Sequence, residues 1–162
     1  MILYGYVIMS NHIHLVIQSE EGKLSDLIRD LKAFLARKII KIIQIGPGSR
    51  SDWMLKRFEF AAKTNMRNEK NHGATTRFWS YGNHSEEIFS EKFFWTKLNR
   101  AAFRYIHMNP DRAKIVLLAS DYLYSSASNY VGKKSIFSGI LLMDNPIIDS
   151  VKNDWTKDID NW

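Results

Sequence analysis

The first apolar run, Tyr4 to Gln18 (YGYVIMSNHIHLVIQ), is rich in β-branched and aromatic residues, and Gly22 follows soon after, which predicts a strand closed by a turn. Alternation along that strand puts Ser10, His12, His14 and Val16 on one face and Asn11, Ile13, Leu15 and Ile17 on the other, and apolar residues on both faces predict burial on both sides. The period then changes. Leu24, Leu27, Ile28, Leu31, Phe34, Leu35 and Ile39 recur at three- and four-residue steps, the pattern of an amphipathic helix running from an N-cap at Ser25 to about Gln44. Gly46-Pro47-Gly48-Ser49 breaks it, and Ser51 is placed to cap a second helix from Trp53 to about Lys63. Residues 64–76 read as a polar loop, Phe78-Trp79 as the point where the chain re-enters the fold, and Tyr81-Gly82-Asn83-His84 as a turn. A long helix is predicted from Ser90 to Met108, ending near Asn109 because Pro110 disfavours helical geometry before it and lacks a donor. A short helix over Asp111–Leu118, the Tyr/Ser-rich stretch DYLYSSASNY and a strand around Ile140–Leu142 complete the prediction, with no internal repeat.

Composition narrows the possibilities. A chain of 162 residues that is 45% apolar and 25% charged predicts one folded domain rather than disorder. The absence of cysteine excludes a disulfide scaffold, a thiolate zinc site and a cysteine nucleophile. No apolar run approaches the ~20 residues of a membrane span, and Met1-Ile-Leu-Tyr-Gly carries neither the basic start nor the cleavage site of a secretory signal, so a cytoplasmic location is expected.

The net charge of +6 is unevenly spread: residues 144–162 carry −3 and residues 1–143 carry +9. A basic body points to a polyanion, most simply nucleic acid, or else to a merely soluble basic surface. The first helix concentrates the charge, with Lys23, Arg29, Lys32, Arg37, Lys38 and Lys41 against Asp26 and Asp30. That density suits a helix along a phosphate backbone as well as it suits a solvated face. Phe78, Trp79 and Tyr81 are candidate stacking platforms for bases, and Phe78 and Trp79 equally candidates for the core.

Two spacings carry possible chemistry. His12 and His14 are two apart, which on a strand projects both imidazoles to one side with Cβ atoms about 7 Å apart, close enough to share a metal ion. Taken alone, such a pair also arises by chance. Tyr105 and Asn109 are four apart on a helix, hence on one face. They read either as a nucleophile beside an oxygen ligand or as a buried tyrosine with an asparagine cap. His84 is either a third metal ligand or a turn residue, His72 falls in the polar loop, and His107 points away from Tyr105. No P-loop, dinucleotide-binding glycine pattern, G-x-S-x-G or H-E-x-x-H is present.

Taken in order, YVIMSNHIHLVI, RFW, YIHMNPDRAKIV and DYLYSSASNY resemble the REP-associated branch of the single-tyrosine transposases, in the HUH endonuclease superfamily, over about Tyr6 to Leu142. The family's His-hydrophobic-His pattern corresponds to His12-Ile13-His14, preceded here by Ser10-Asn11 where the family usually has Pro-Asn. Its Tyr-Ile-x-x-Asn-Pro segment corresponds to Tyr105 through Pro110, and SDWMLKRF and FWSYGNHSEEIFSEK look like one subgroup. The resemblance implies an α+β fold, an antiparallel sheet with helices packed on it in a ferredoxin-like HUH-type core. Residues 1–143 would form that domain, with an acidic tail over 144–162.

It further implies cleavage and rejoining of single-stranded DNA near hairpins through a 5′-phosphotyrosine on Tyr105. His12, His14 and Asn109 would hold Mg2+ or Mn2+, and Arg29, Lys32, Arg37, Lys38 and Arg104 are candidates for backbone contacts. Relatives occur as monomers and as homodimers, so the assembly stays open. Family members carry a strand and a helix ahead of the His-bearing strand. The chain starts almost on that strand and is expected to lack both, leaving an apolar sheet edge. Two alternatives remain: an inactive fragment that still binds hairpin or single-stranded DNA, and a metal-dependent hydrolase using His12, His14 and His84.

Overall fold

The computed structural model describes residues 1–46, 48–66, 75–80, 82, 85 and 104–142. The predicted helix before Arg104, the turn residues Tyr81, Asn83 and His84, His72 and the acidic tail lie outside the described residues. The chain is α+β, with a two-stranded antiparallel sheet and helices. It divides into two compact units, one formed by Met1–Gly22 with described residues 104–142, the other by the chain from Lys23 to Ser85.

In the first unit the run expected to be one strand is a hairpin. Strand β1 covers Ile2–Ile8 and pairs antiparallel with β2, Ile13–Gln18, with Val7 opposite His14 and Ile8 opposite Ile13. The chain reverses over Met9–His12, where the Met9 amide donates to the His12 carbonyl at 2.9 Å. Ser10 and Asn11 supply the turn chemistry. A bulge between Leu3 and Gly5 shifts the register; there the Tyr130 hydroxyl donates to the Tyr4 carbonyl at 2.6 Å. The far edge of β1 is satisfied by the Tyr/Ser-rich stretch: Ile8 N–H donates to Tyr124 O and Ser126 N–H to Tyr6 O, both at 2.9 Å. The segment predicted as a strand at 140–142 is not one, though Leu141 N–H donates to Leu3 O at 2.9 Å. Among the described residues β2 pairs only with β1.

The helix that follows in this unit, at Arg104–Arg112, runs through Pro110 instead of stopping before it. Proline removes one hydrogen bond near the end of the helix, and the ladder resumes at once, with Ala113 N–H donating to Asn109 O at 2.9 Å. The fully buried Pro110 ring offsets the loss by packing. Termination comes at Lys114, which adopts the left-handed φ of 56°. Ile115 N–H then reaches Pro110 O at 2.9 Å and Lys114 N–H reaches Asp111 O at 2.7 Å, the paired bonds of a Schellman ending. The helix predicted to continue to Leu118 is replaced by this turn. A 3-10 turn at Ala119–Asp121 and a short helix at Ala127–Tyr130 pack beside it, with Ala119 and Ala127 buried.

The second unit is a pair of helices. Helix α1, Leu24–Ile45, has Lys23 as its N-cap, because Lys23 O accepts the first helical bond from Leu27 N–H at 3.1 Å; Ser25 therefore lies inside the first turn. The helix ends where Gly46 leaves helical geometry. Leu27, Ile28, Leu31, Leu35 and Ile39 form its half-buried stripe, whereas Leu24 and Phe34, assigned to the same stripe by spacing, are exposed. Helix α2 spans Ser49–Met66, longer at both ends than predicted, so Ser51 is an interior residue rather than a cap. Phe78 and Trp79 return to the fold as expected: Arg77 N–H donates to Phe58 O at 3.0 Å, and the Phe78 ring lies edge-on to Phe58 at 5.3 Å. With α1 and α2 assigned, the Arg104–Arg112 helix is α3 and the Ala127–Tyr130 helix α4.

Candidate active site

Three of the singled-out side chains meet in the first unit. His14 projects from β2, half-buried, and His12 from the exposed end of the hairpin turn, yet their rings touch edge to face with centroids 5.0 Å apart. The Tyr105 ring, from α3, meets the His14 ring with centroids 5.6 Å apart. The hairpin keeps the two histidines together even though His12 is not on the strand. Tyr105 is 44% exposed, so it is not a core tyrosine, and its neighbours Ile106, His107, Met108 and Pro110 make up the buried side of α3. Asn109 does not cap the helix; its Nδ2 donates to Tyr105 O at 3.1 Å, a bond that does not use the amide oxygen.

The His12 Nδ1 faces Asn11 Oδ1 at 2.7 Å, and a proton held there leaves Nε2 with the lone pair a cation needs. His14 is held below the ordinary histidine range by burial and, less, by His12, which favours its neutral ring. A ring centroid sits about 3.2 Å from a metal bound to its nitrogen, so 5.0 Å between centroids fits two imidazoles taking adjacent positions on one ion. The residues present therefore suit a divalent cation with nitrogen and oxygen ligands, such as Mn2+ or Mg2+. Among the described residues no group of three or more His, Asp or Glu side chains could hold a metal; the structure brings together two candidate ligands, His12 and His14, with Asn109 one turn from Tyr105 on α3.

The site is anchored from behind. His107, fully buried on the opposite side of α3, has its Nε2 2.8 Å from Ser126 Oγ. The same hydroxyl accepts from Tyr6 N–H at 2.8 Å and lies 3.2 Å from Tyr6 O. One serine thus ties the helix bearing Tyr105 to strand β1. Burial pushes the His107 ring down to about 3, so it stays neutral. At the turn end of β1, Tyr122 Oη donates to Ile8 O at 2.8 Å, directly before the loop that carries His12.

Sequence reasoning missed Arg112. Its guanidinium carbon lies 5.3 Å over the Tyr105 ring, placing a positive charge beside the phenol. Arg112 is seven residues from Tyr105, two turns along one face, a spacing that is readable only if the helix is allowed to pass Pro110.

The proposed backbone-contact residues of α1 are differently engaged. Arg29 pairs with Asp26 at 2.6 Å and Asp30 at 3.1 Å, Lys32 lies over the Trp79 ring at 5.5 Å, Lys38 lies over Phe34 at 5.6 Å, and Arg37 is exposed. Arg104 opens α3. His84, the third ligand of the hydrolase alternative, lies outside the described residues. No helix among the described residues is long and apolar enough to cross a membrane. No protein-family model, curated protein or solved structure matches the chain.

Proposed function

We propose that the chain is a metal-dependent, transposase-like endonuclease and strand transferase for single-stranded DNA beside hairpins, built on a ferredoxin-like HUH-type core. The observation that carries this reading is the line of rings His12, His14 and Tyr105, which sets an accessible phenol against two imidazoles. The ordered resemblance to single-tyrosine transposases and the basic body support it.

In this reading Tyr105 Oη attacks the scissile phosphorus, the phenolic proton leaves as the bond forms, and the P–O3′ bond breaks. The departing 3′-oxygen takes up a proton, and the 5′-phosphate remains on the tyrosine. The new ester keeps the energy of the old one, so a second 3′-hydroxyl reverses the step and joins strands. Bound Mg2+ or Mn2+ supplies Lewis-acid withdrawal of charge from a phosphate oxygen. His12, His14 and Asn109 would hold it, the Asn11 side chain fixing the tautomer of His12. Arg112, beside the attacking ring, meets the negative charge on the phosphate. The Ser126 hub keeps Tyr105 in register with the strands.

The test is a denaturing gel of the protein with hairpin-flanked single-stranded DNA and Mn2+, labelled at either end. A 3′ label remains with the protein in a heat-stable band while a 5′ label runs as a free product, and chelator abolishes both. Salt-sensitive binding with no such band leaves the inactive DNA-binding alternative; cleavage with no band favours hydrolysis by an activated water.

A further inference from the structure

Helix α2 carries a surface that the chemistry above leaves unused. Trp53, Arg57 and Phe60 follow one another at steps of four and three, so they share one face. Both rings stand in solvent: Trp53 is 58% exposed and Phe60 69%. The Arg57 guanidinium carbon lies 5.4 Å over the Trp53 ring. The acidic residues of this stretch, Asp52 and Glu59, lie about 100–120° around the helix from Trp53, leaving the face aromatic and basic.

A cavity of about 520 Å³ opens beside this face, walled by Arg57, Phe58 and Phe60 of α2 and by Arg77, Phe78 and Trp79 of the returning chain. Its size falls in the range of ligand pockets, about 300–1,000 Å³. Its walls are held in place. Arg77 Nε donates to Trp79 O at 3.0 Å, Trp79 Nε1 donates to Lys32 O at 2.8 Å, and Phe78 sits edge-on to both Phe58 and Trp79. Among the described residues, two guanidinium groups and four aromatic rings line one opening, and no carboxylate is in that described lining.

We propose that this face of the 23–85 unit is a second, non-catalytic site for single-stranded nucleic acid, seating an unpaired base in the cavity and a neighbouring phosphate on Arg57. Paired bases are excluded because their faces are already stacked. Rings interleaved with arginine suit bases joined by phosphates, each ring offering a π-face and each guanidinium a bidentate anion contact. An acidic peptide would match the arginines and leave Trp53 and Phe60 uncovered. The proposal uses none of the residues around Tyr105 and does not depend on the reaction assigned there.

The test is fluorescence anisotropy of the full chain, carrying Tyr105→Phe to keep binding reversible, with a labelled oligo(dT) of about 12 nucleotides and an abasic strand of the same length. Trp53→Ala and Phe60→Ala should each weaken oligo(dT) binding about tenfold while changing the abasic strand by less than about twofold. Arg57→Gln should lower the slope of log K against log salt by about 0.7. Both rings are exposed, so the variants should keep the parent's thermal midpoint, and polyglutamate should not compete. Unchanged oligo(dT) affinity in the Trp53→Ala/Phe60→Ala double variant overturns the proposal. Equal weakening of the abasic strand does so too, as does displacement of DNA by polyglutamate through the two rings. Absence of a covalent band bears only on Tyr105 and leaves these affinities as they are.

Discussion

In the unit formed by Met1–Gly22 and residues 104–142, polar side chains are buried and matched across the length of the chain: His107, Ser125, Ser126 and Ser128 are all inside. In the unit from Lys23 to Ser85, Ala62 is the one buried side chain among the described residues; Phe34, Ile42, Trp53 and Phe60 face solvent there, as Leu117, Leu123, Ile136 and Leu141 do in the first unit. The first arrangement costs desolvation and returns fixed geometry, since each buried polar atom demands a partner in one place. Tyr105 and the two histidines sit on that scaffold. The second unit has no such buried polar scaffold among its described residues, and what it offers is the aromatic-basic face of α2 proposed above as a binding surface. On the proposals above, position serves the chemistry at Tyr105 and accessible rings serve binding on α2, a division of labour that can be tested.

That division can be broken most sharply at Tyr105. Tyr105→Phe should abolish the covalent DNA adduct completely while oligo(dT) affinity stays within about twofold, because the phenol takes part only in bond formation. Loss of affinity along with the adduct would mean that the two units do not divide the work. His14→Ala should cut adduct formation by about a hundredfold or more, with partial recovery at raised Mn2+, as read from initial rates over a metal titration. A rate that is independent of metal in both proteins would remove the imidazoles from the reaction.

The buried hub is next. Ser126→Ala deprives the Tyr6 amide and the His107 ring of one hydroxyl, and should cost about 1–3 kcal/mol in urea unfolding with an unchanged slope. Burial also gives this unit an acid-sensitive stability. The His107 ring titrates at about 3 when folded against 6.5 when free, so between those values the unfolded chain binds the extra proton. Stability should therefore be full above pH 6.5 and fall as the pH drops toward 3, by up to about 1.4 kcal/mol per pH unit. Urea midpoints taken across that window check it; a flat profile would place His107 in contact with water. The smallest effect is at Lys114, where glycine fits the left-handed backbone without a Cβ. Lys114→Gly should raise stability by up to about 1 kcal/mol in thermal unfolding and leave adduct formation unchanged.

What could be read from the sequence was local. The strand character of the first run, the amphipathic stripe of α1, the shared face of Tyr105 and Asn109 and the placing of His107 on the side of the helix away from Tyr105 all follow from spacing over a few residues. The hairpin was hidden because apolar residues continue to Met9 and resume at Ile13, with only Ser10-Asn11 to mark the reversal. Pro110 reads as a stop in isolation, and it is tolerated because it sits near the helix end and is packed on every side. DYLYSSASNY has the composition of a loop. Its residues 125–128 are buried because the backbone there completes the edge of β1, about 120 residues away, and local pattern does not register such a pairing. The aromatic-basic face of α2 was overlooked for another reason: Trp53 and Phe60 look like core residues until their exposure is known.

The most direct measurement is the identity of the residue that carries DNA. The heat-stable band formed with Mn2+ and hairpin-flanked single-stranded DNA would be digested with protease and nuclease, and its peptides weighed. Tyr105 as nucleophile predicts a nucleotide phosphate on the peptide containing Tyr105-Ile106-His107, fragmenting to a modified tyrosine. The same mass on another residue, or cleaved DNA with no modified peptide, would contradict it.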